Sequence, residues 1–263
     1  GQALGIPATV TVSGAAAYNN SYEASSVQAF AAAGDPSLLR VAQVDYVKPE
    51  QMQSQEFGYR GKLSRTFTVD AAVYRNDFQD FINTQVVLSP LYGEVGDGGL
   101  SVLAMANGDF ETWSSYTNSP AEISSWGVSI GAQTKIFGNF DLSANYTKSK
   151  LEFEQSLYPD FRTNWNTPEH KIKAQFGNTQ LFENFGFNVA WRYWSEYLWQ
   201  ASFGDGMVPE THVIDAQFNL TVPKWKSVIK VGATNLGGEE YFTAFGSGFI
   251  GTQYYISWTA NNF

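Results

Sequence analysis

The only imidazoles in this 263-residue chain are His170 and His212, and there is no cysteine, which excludes thiolate metal sites and disulfides. His212 and Asp215 lie three apart in a stretch that alternates like a strand. That spacing puts them on opposite faces, where they cannot form a local acid–base pair. Glu169–His170 follows Pro168 at the start of another such stretch, and a solvated strand end is the ordinary role of that pair. There is no nucleophile elbow, His pair at helical spacing or phosphate-cradling glycine loop; the glycine-rich run at 93–99 reads as loop. The expectation is therefore a protein without catalytic residues, metal or cofactor. Two other sets of residues stand out. The first is charged: Glu56, Arg60, Asp70, Asp141, Lys171, Lys173, Arg192, Asp215 and Lys230, each alternating with apolar neighbours. The second is aromatic and lies between the alternating stretches: Tyr92, Trp113, Tyr116, Trp165, Trp199, Phe203, Phe245 and Phe249. Aromatic platforms suit sugars, aromatic chelators or peptides, and serve equally to pack one loop on another.

The elements that position both sets are strands. Phe67, Val69, Ala71 and Val73 alternate with Thr68, Asp70, Ala72 and Tyr74; Phe140, Leu142, Ala144 and Tyr146 alternate with Asp141, Ser143, Asn145 and Thr147. The same period of two recurs near 51–60, 127–133, 171–176, 187–193, 213–220, 228–234 and 253–260, about nine strands in all. The connections between them alternate, short then long. Each strand pairs an apolar face with a polar one, the pattern of an antiparallel transmembrane barrel with short turns on one side and long loops on the other. Residues 1–49 read as a long irregular segment, with a short strand at 9–12 or a helical turn at 27–33 as minor features. Aromatics near strand ends (Tyr59, Tyr74, Trp126, Tyr146, Tyr193, Trp225 and Trp258) fit interfacial girdles. Aromatics make up 16% of the chain and charged residues only 16%, low for a water-soluble domain. A net charge of −9 argues against a nucleic-acid partner. No apolar run is long enough for a transmembrane helix, and the opening G-Q-A-L-G-I-P is not a signal peptide, so the chain reads as a mature protein or a piece of a longer one.

Two phrases carry a family resemblance. One is K-P-E at 48–50 followed by E-F-G-Y-R-G at 56–61. The other is the ending A-T-N-L at 233–236, then G-T-Q-Y-Y-I-S at 251–257 and a terminal Phe263. Together they resemble the barrels of TonB-dependent outer-membrane receptors (Bacteroidetes-like) over residues 45–263. The resemblance implies an all-β fold, with about nine up-and-down strands forming an open part of a barrel of about 22. Residues 1–49 would be extracellular loop and residues 50–263 the C-terminal barrel strands, with the plug domain absent. It implies a receptor in the bacterial outer membrane that imports a scarce nutrient, such as a siderophore, glycan or peptide, with TonB-relayed energy. The charged set would face the lumen. The partners implied are outer-membrane lipid, the plug domain, the TonB energy-coupling complex, a small-molecule nutrient and the barrel-assembly machinery. The last would read Tyr254, Ile256, Trp258 and Phe263 as an assembly signal. Phe263 is out of phase with that row unless a bulge lies near Asn261. Three other readings stay open: a self-standing small outer-membrane barrel, an enzymatic barrel and a soluble sugar-binding sandwich. Strand count and pairing of the first and last strands separate the first of these from the receptor.

Overall fold

The computed structural model describes residues 12–260, so residues 9–11 of the expected first strand, Asn261 and Phe263 lie outside the described residues. The strands are β1 (Tyr22–Glu23), β2 (Gln51–Lys62), β3 (Thr68–Gln79), β4 (Ile82–Pro90), β5 (Phe110–Asn118), β6 (Ile123–Ile136), β7 (Phe140–Glu152), β8 (Phe161–Arg162), β9 (His170–Phe182), β10 (Phe185–Trp194), β11 (Tyr197–Ala201), β12 (Gly204–Val208), β13 (Thr211–Val222), β14 (Ser227–Thr234) and β15 (Gln253–Ala260). Three helices accompany them: α1 (Ala16–Asn19), α2 (Ala24–Ala33) and α3 (Leu100–Asn107). The chain divides into two compact units. One gathers residues 1–53, 77–124 and 152–164; the other gathers 54–76, 125–151 and 165–263.

The second unit is organised by a nine-stranded sheet in the order β15-β14-β13-β10-β9-β7-β6-β3-β2. Neighbours in the sheet are neighbours in sequence once the long connections are set aside, which is an up-and-down meander. Short connections at 63–67, 137–139, 183–184 and 223–226 alternate with long ones at 80–122, 153–169, 195–210 and 235–252. The β6–β7 turn needs left-handed backbone: Phe137 (φ 47°) and Gly138 (φ 88°) put both its central residues in the mirror-image conformation that matches strand twist. β2 and β15 end the sheet, and no ladder joins them among the described residues, so the sheet is not closed.

Register carries one polar and one apolar face across the strands. Ser143 lies opposite Gln175, which lies opposite Ala190 and then Asp215. On the other face Leu142, Phe176, Val189 and Ala216 follow one another, then Ala233 and Tyr254. Covering the apolar face with water would be costly, yet it is open: Phe218 is 52%, Ile256 76% and Trp258 69% exposed. Such a face needs lipid or a partner. On the polar face two tyrosines lie across glycines and reach one strand further. Tyr74 passes over Gly127 to bond Ser149 at 3.0 Å, and Tyr255 passes over Gly232 to donate to Gln217 at 2.9 Å. Tyr74 thus leaves the girdle it was expected to join, because it shares a face with Asp70.

The first unit holds the hydrophobic core. Residues 1–49 were expected to be irregular, but α2 packs Val27 and Phe30 with Tyr22, Leu88 and Met105. A second cluster joins Ala17, Val44 and Val87 beside Trp113. The connection expected at 85–121 is likewise folded: β4 and β5 pair from Ile82↔Asn118 to Pro90↔Phe110, and β1 and β8 add to the other edge of β4. These elements escape a period-two reading because β4 is buried on both faces.

Candidate functional site

The polar face of the nine-stranded sheet assembles most of the charged set. Arg60 on β2 reaches Asp70 on β3 at 3.5 Å, and Lys135 on β6 reaches Asp141 on β7 at 2.9 Å. On β10 and β13, Arg192 meets Asp215 at 2.9 Å, the least exposed of the three pairs. Asp215 also accepts the main-chain N–H of Asn235 at 3.1 Å, so it ties the sheet to the last long connection. A depression of about 430 Å³ lies among Arg60, Asp70, Gln133, Asn145, Lys173 and Gln175. Gln175 donates to Asn188 at 2.7 Å at its side. Glu56, Lys171 and Lys230 are exposed on their strands, and Lys230 stands opposite Ser257 on this same face. The arrangement offers a hydrated array of hydrogen-bonding groups and ion pairs; exposed pairs of this kind contribute about 0–1 kcal/mol each. It is a surface for polar contact.

The histidines belong to the opposite face. His170 Nδ1 lies 2.8 Å from the Tyr146 hydroxyl, and Lys148 beside it reaches Glu169 at 3.1 Å and lies over the Trp126 ring at 5.0 Å. His212 stacks with Trp191 at 5.8 Å and Tyr193 at 4.8 Å between ring centres. This is a band of Tyr, Trp and His at the long-connection ends of β6, β7, β9, β10 and β13. Toward the short turns the same face carries phenylalanines among its apolar residues: Phe140 and Phe176 stack at 5.4 Å and Phe185 and Phe218 at 5.7 Å. A band of amphipathic rings at one end of the strands matches a membrane interface.

The loop aromatics divide between the two units. In the first, the Tyr92 hydroxyl donates to Asp109 at 2.7 Å, a bond that holds the phenol above its ordinary pKa. Trp113 packs in the second core cluster, and Tyr116 is exposed. In the second unit, Phe245 lies on Gly206 and Phe203 on Gly246, so the β11–β12 hairpin and the connection at 235–252 interlock through glycines that leave room for the rings. The Tyr197 hydroxyl donates to the Thr243 carbonyl at 2.7 Å across the same junction, while Trp199 neighbours Tyr197 and Phe249 contacts Phe242. Trp165 is half-buried before β9. Asn235, not singled out from the sequence, anchors the connection at 235–252. It is 1% exposed and left-handed (φ 53°), with its amide donating to Glu239 and Ile250. The A-T-N-L phrase was its signal.

A family model described as TonB dependent receptor-like, beta-barrel, matches residues 9–236. No relative is found among curated proteins. Solved structures share the fold at low identity. The siderophore receptor PiuA from Acinetobacter baumannii is 19% identical, with a TM-score of 0.54 over 85% of this chain and 30% of that one. The FrpB iron transporter from Neisseria meningitidis (F3-3 variant) is 12% identical, with a TM-score of 0.56 over 81% and 31%. The ferric yersiniabactin uptake receptor FyuA from Yersinia pestis is 14% identical, with a TM-score of 0.53 over 79% and 28%. The chain therefore spans under a third of the length of these structures.

Proposed function

Since this chain belongs to the TonB-dependent receptor-like β-barrel family of the bacterial outer membrane, we propose that it is barrel wall of an active-transport receptor. That receptor takes up a scarce nutrient, such as a siderophore, glycan or peptide, with energy relayed by TonB. The observation that supports this best is the two-faced sheet: apolar, exposed and aromatic-banded on one side, with paired charges on the other. On this reading the apolar face meets lipid, and the face with Arg60, Asp70, Lys173 and Arg192 lines the lumen against a plug domain. The outer edges of β2 and β15 pair with further strands, because unpaired backbone groups in hydrocarbon cost several kcal/mol each. The assembly machinery reads Tyr254, Ile256 and Trp258. Residues 1–49 and the long connections are extracellular and contribute the nutrient contacts, Trp199 and Tyr116 among them. A self-standing small barrel gains no support, since it requires a β2–β15 ladder.

The chain has no cysteine, so single cysteines report orientation cleanly. Ser37→Cys in the first unit and Asn139→Cys in a short turn are labelled on intact cells with a membrane-impermeant maleimide. The reading expects Ser37→Cys to react at once and Asn139→Cys only after the outer membrane is opened. Equal labelling of both on intact cells would contradict it.

A further inference from the structure

Charge is distributed unevenly over this chain. Its four long connections hold fourteen carboxylates and a single guanidinium, Arg162. The polar face of the nine-stranded sheet runs the other way, with seven cationic residues against four carboxylates among the described residues. Three of those carboxylates, Asp70, Asp141 and Asp215, already have partners in Arg60, Lys135 and Arg192. Lys62, Lys171, Lys173 and Lys230 are exposed and have no carboxylate within ion-pair distance among the described residues. These four are spread across the sheet and do not gather at one point. Lys173 on β9 and Lys230 on β14 stand three strands apart, and Lys62 on β2 lies four strands from β9 on the other side. At about 4.8 Å per strand these separations are about 14 and 19 Å. Between the lysines the face is kept low by Gly131, Ser143, Ala190 and Gly232. Two depressions of about 430 and 440 Å³ adjoin there and share Thr68, Gln133, Ser143 and Gln175.

We propose that this face docks a folded protein surface rich in carboxylates, which on the receptor reading is the wall-facing side of the plug domain. The inference rests on that reading and names the chemistry of one partner. The surplus of cations attracts acidic groups and opposes basic ones. Its spread decides the size of the occupant, because a small anion cannot touch the lysines of β2, β9 and β14 together. Area agrees with this. The eight strands from β2 to β14 span about 34 Å and ten residues of strand about 33 Å, which gives roughly 1,000 Å². A standard interface needs about 800 Å² from each partner. The acidic long connections of the chain show that the surplus belongs to this face and does not follow from composition.

The test uses the full chain in detergent micelles and the fluorescence anisotropy of a labelled, capped peptide of eight Glu-Gly repeats, long enough when extended to span the sheet. A peptide of eight Gln-Gly repeats and inorganic phosphate are the comparison probes. The proposal expects the acidic peptide to bind more tightly than about 1 mM at low salt and to weaken as salt is added, and the neutral peptide not to bind. Lys173→Gln and Lys230→Gln, both exposed changes, should each weaken it by about two- to fivefold. Their losses should multiply in the double variant, since one extended partner spans two sites too far apart to couple. Lys148→Gln, on the opposite face, should leave binding unchanged. No binding of the acidic peptide, equal binding of the neutral one, a double variant no weaker than a single one, or an equal loss in Lys148→Gln would overturn the proposal. Phosphate that displaces the peptide where chloride of the same ionic strength does not would also overturn it, by making the face a small-anion site. None of these outcomes bears on the cysteine labelling, so the receptor reading fails or stands separately.

Discussion

Replacing Asn235 by Ala should open the connection at 235–252. Two contributions add. Asn235 holds φ 53°, a conformation that asparagine tolerates and alanine pays for at about 1 kcal/mol. Its amide donates to the Glu239 carbonyl at 3.0 Å and the Ile250 carbonyl at 3.5 Å. Losing one good bond and one marginal one costs about 1–2 kcal/mol net. The sum is about 2–3 kcal/mol against local opening. Asn235→Gly removes the strain and keeps only the hydrogen-bond loss, so it should cost about 1–2 kcal/mol. The reporter is hydrogen exchange at Tyr241 and Ile250, whose main chains exchange bonds of 3.2 and 2.7 Å across this connection. Protection should fall by about 30- to 150-fold in the alanine variant and less in the glycine one. If glycine lowers protection as much as alanine, the backbone part of the argument is wrong; if neither changes it, Asn235 does not hold this segment.

Asp215 accepts the main-chain N–H of Asn235, so Asp215→Ala should lower hydrogen-exchange protection of the Asn235 amide by about tenfold or more; unchanged protection would refute the link. Gly232→Ala should drive Tyr255 off Gln217, costing about 1–2 kcal/mol, and Tyr255→Ala should recover part of the loss in the double variant; a worse double variant would contradict the crossing. The Asp97 carboxyl is held below its ordinary 3.8 by the Ser101 hydroxyl and then the Gly99 N–H. Its folded pKa is depressed, so its support for the start of α3 is present above pH 3.8 and lost as pH falls through the lowered value. Ser101 amide protection should drop over that range, and Asp97→Asn should flatten the dependence; an unchanged profile would refute it.

The nine strands of the sheet were legible because each has an apolar and a polar face, which writes a period of two into the sequence. Phe176 beside Gln175 and Phe218 beside Gln217 leave no doubt about phase. The first unit was not legible for the opposite reason. β4 reads I-N-T-Q-V-V-L-S-P and is buried on both faces beyond Ile82, while α2 is so rich in alanine and serine that Val27 and Phe30 barely mark its inner side. Its contacts also span great sequence distances, as Ser25 to Asp160 shows. Arg192 and Asp215 were separately assigned to the polar face, but their pairing depends on the β10–β13 register, which alternation alone does not set.

The central claim is the phase: apolar rows toward lipid, polar rows toward the lumen. Adjacent residues on one strand test it. Ala144 is exposed opposite Ala174 on the apolar face, and Ser143 lies opposite Gln175 at the polar depression. A lysine at bilayer depth on the lipid face costs about 2–4 kcal/mol, and one in an aqueous lumen far less. Ala144→Lys and Ser143→Lys are compared by the amount of urea-resistant protein in the outer-membrane fraction and by unfolding from lipid vesicles. The account predicts a sharp loss for Ala144→Lys and near-normal assembly for Ser143→Lys. Equal behaviour of the two, or the reverse order, would contradict it.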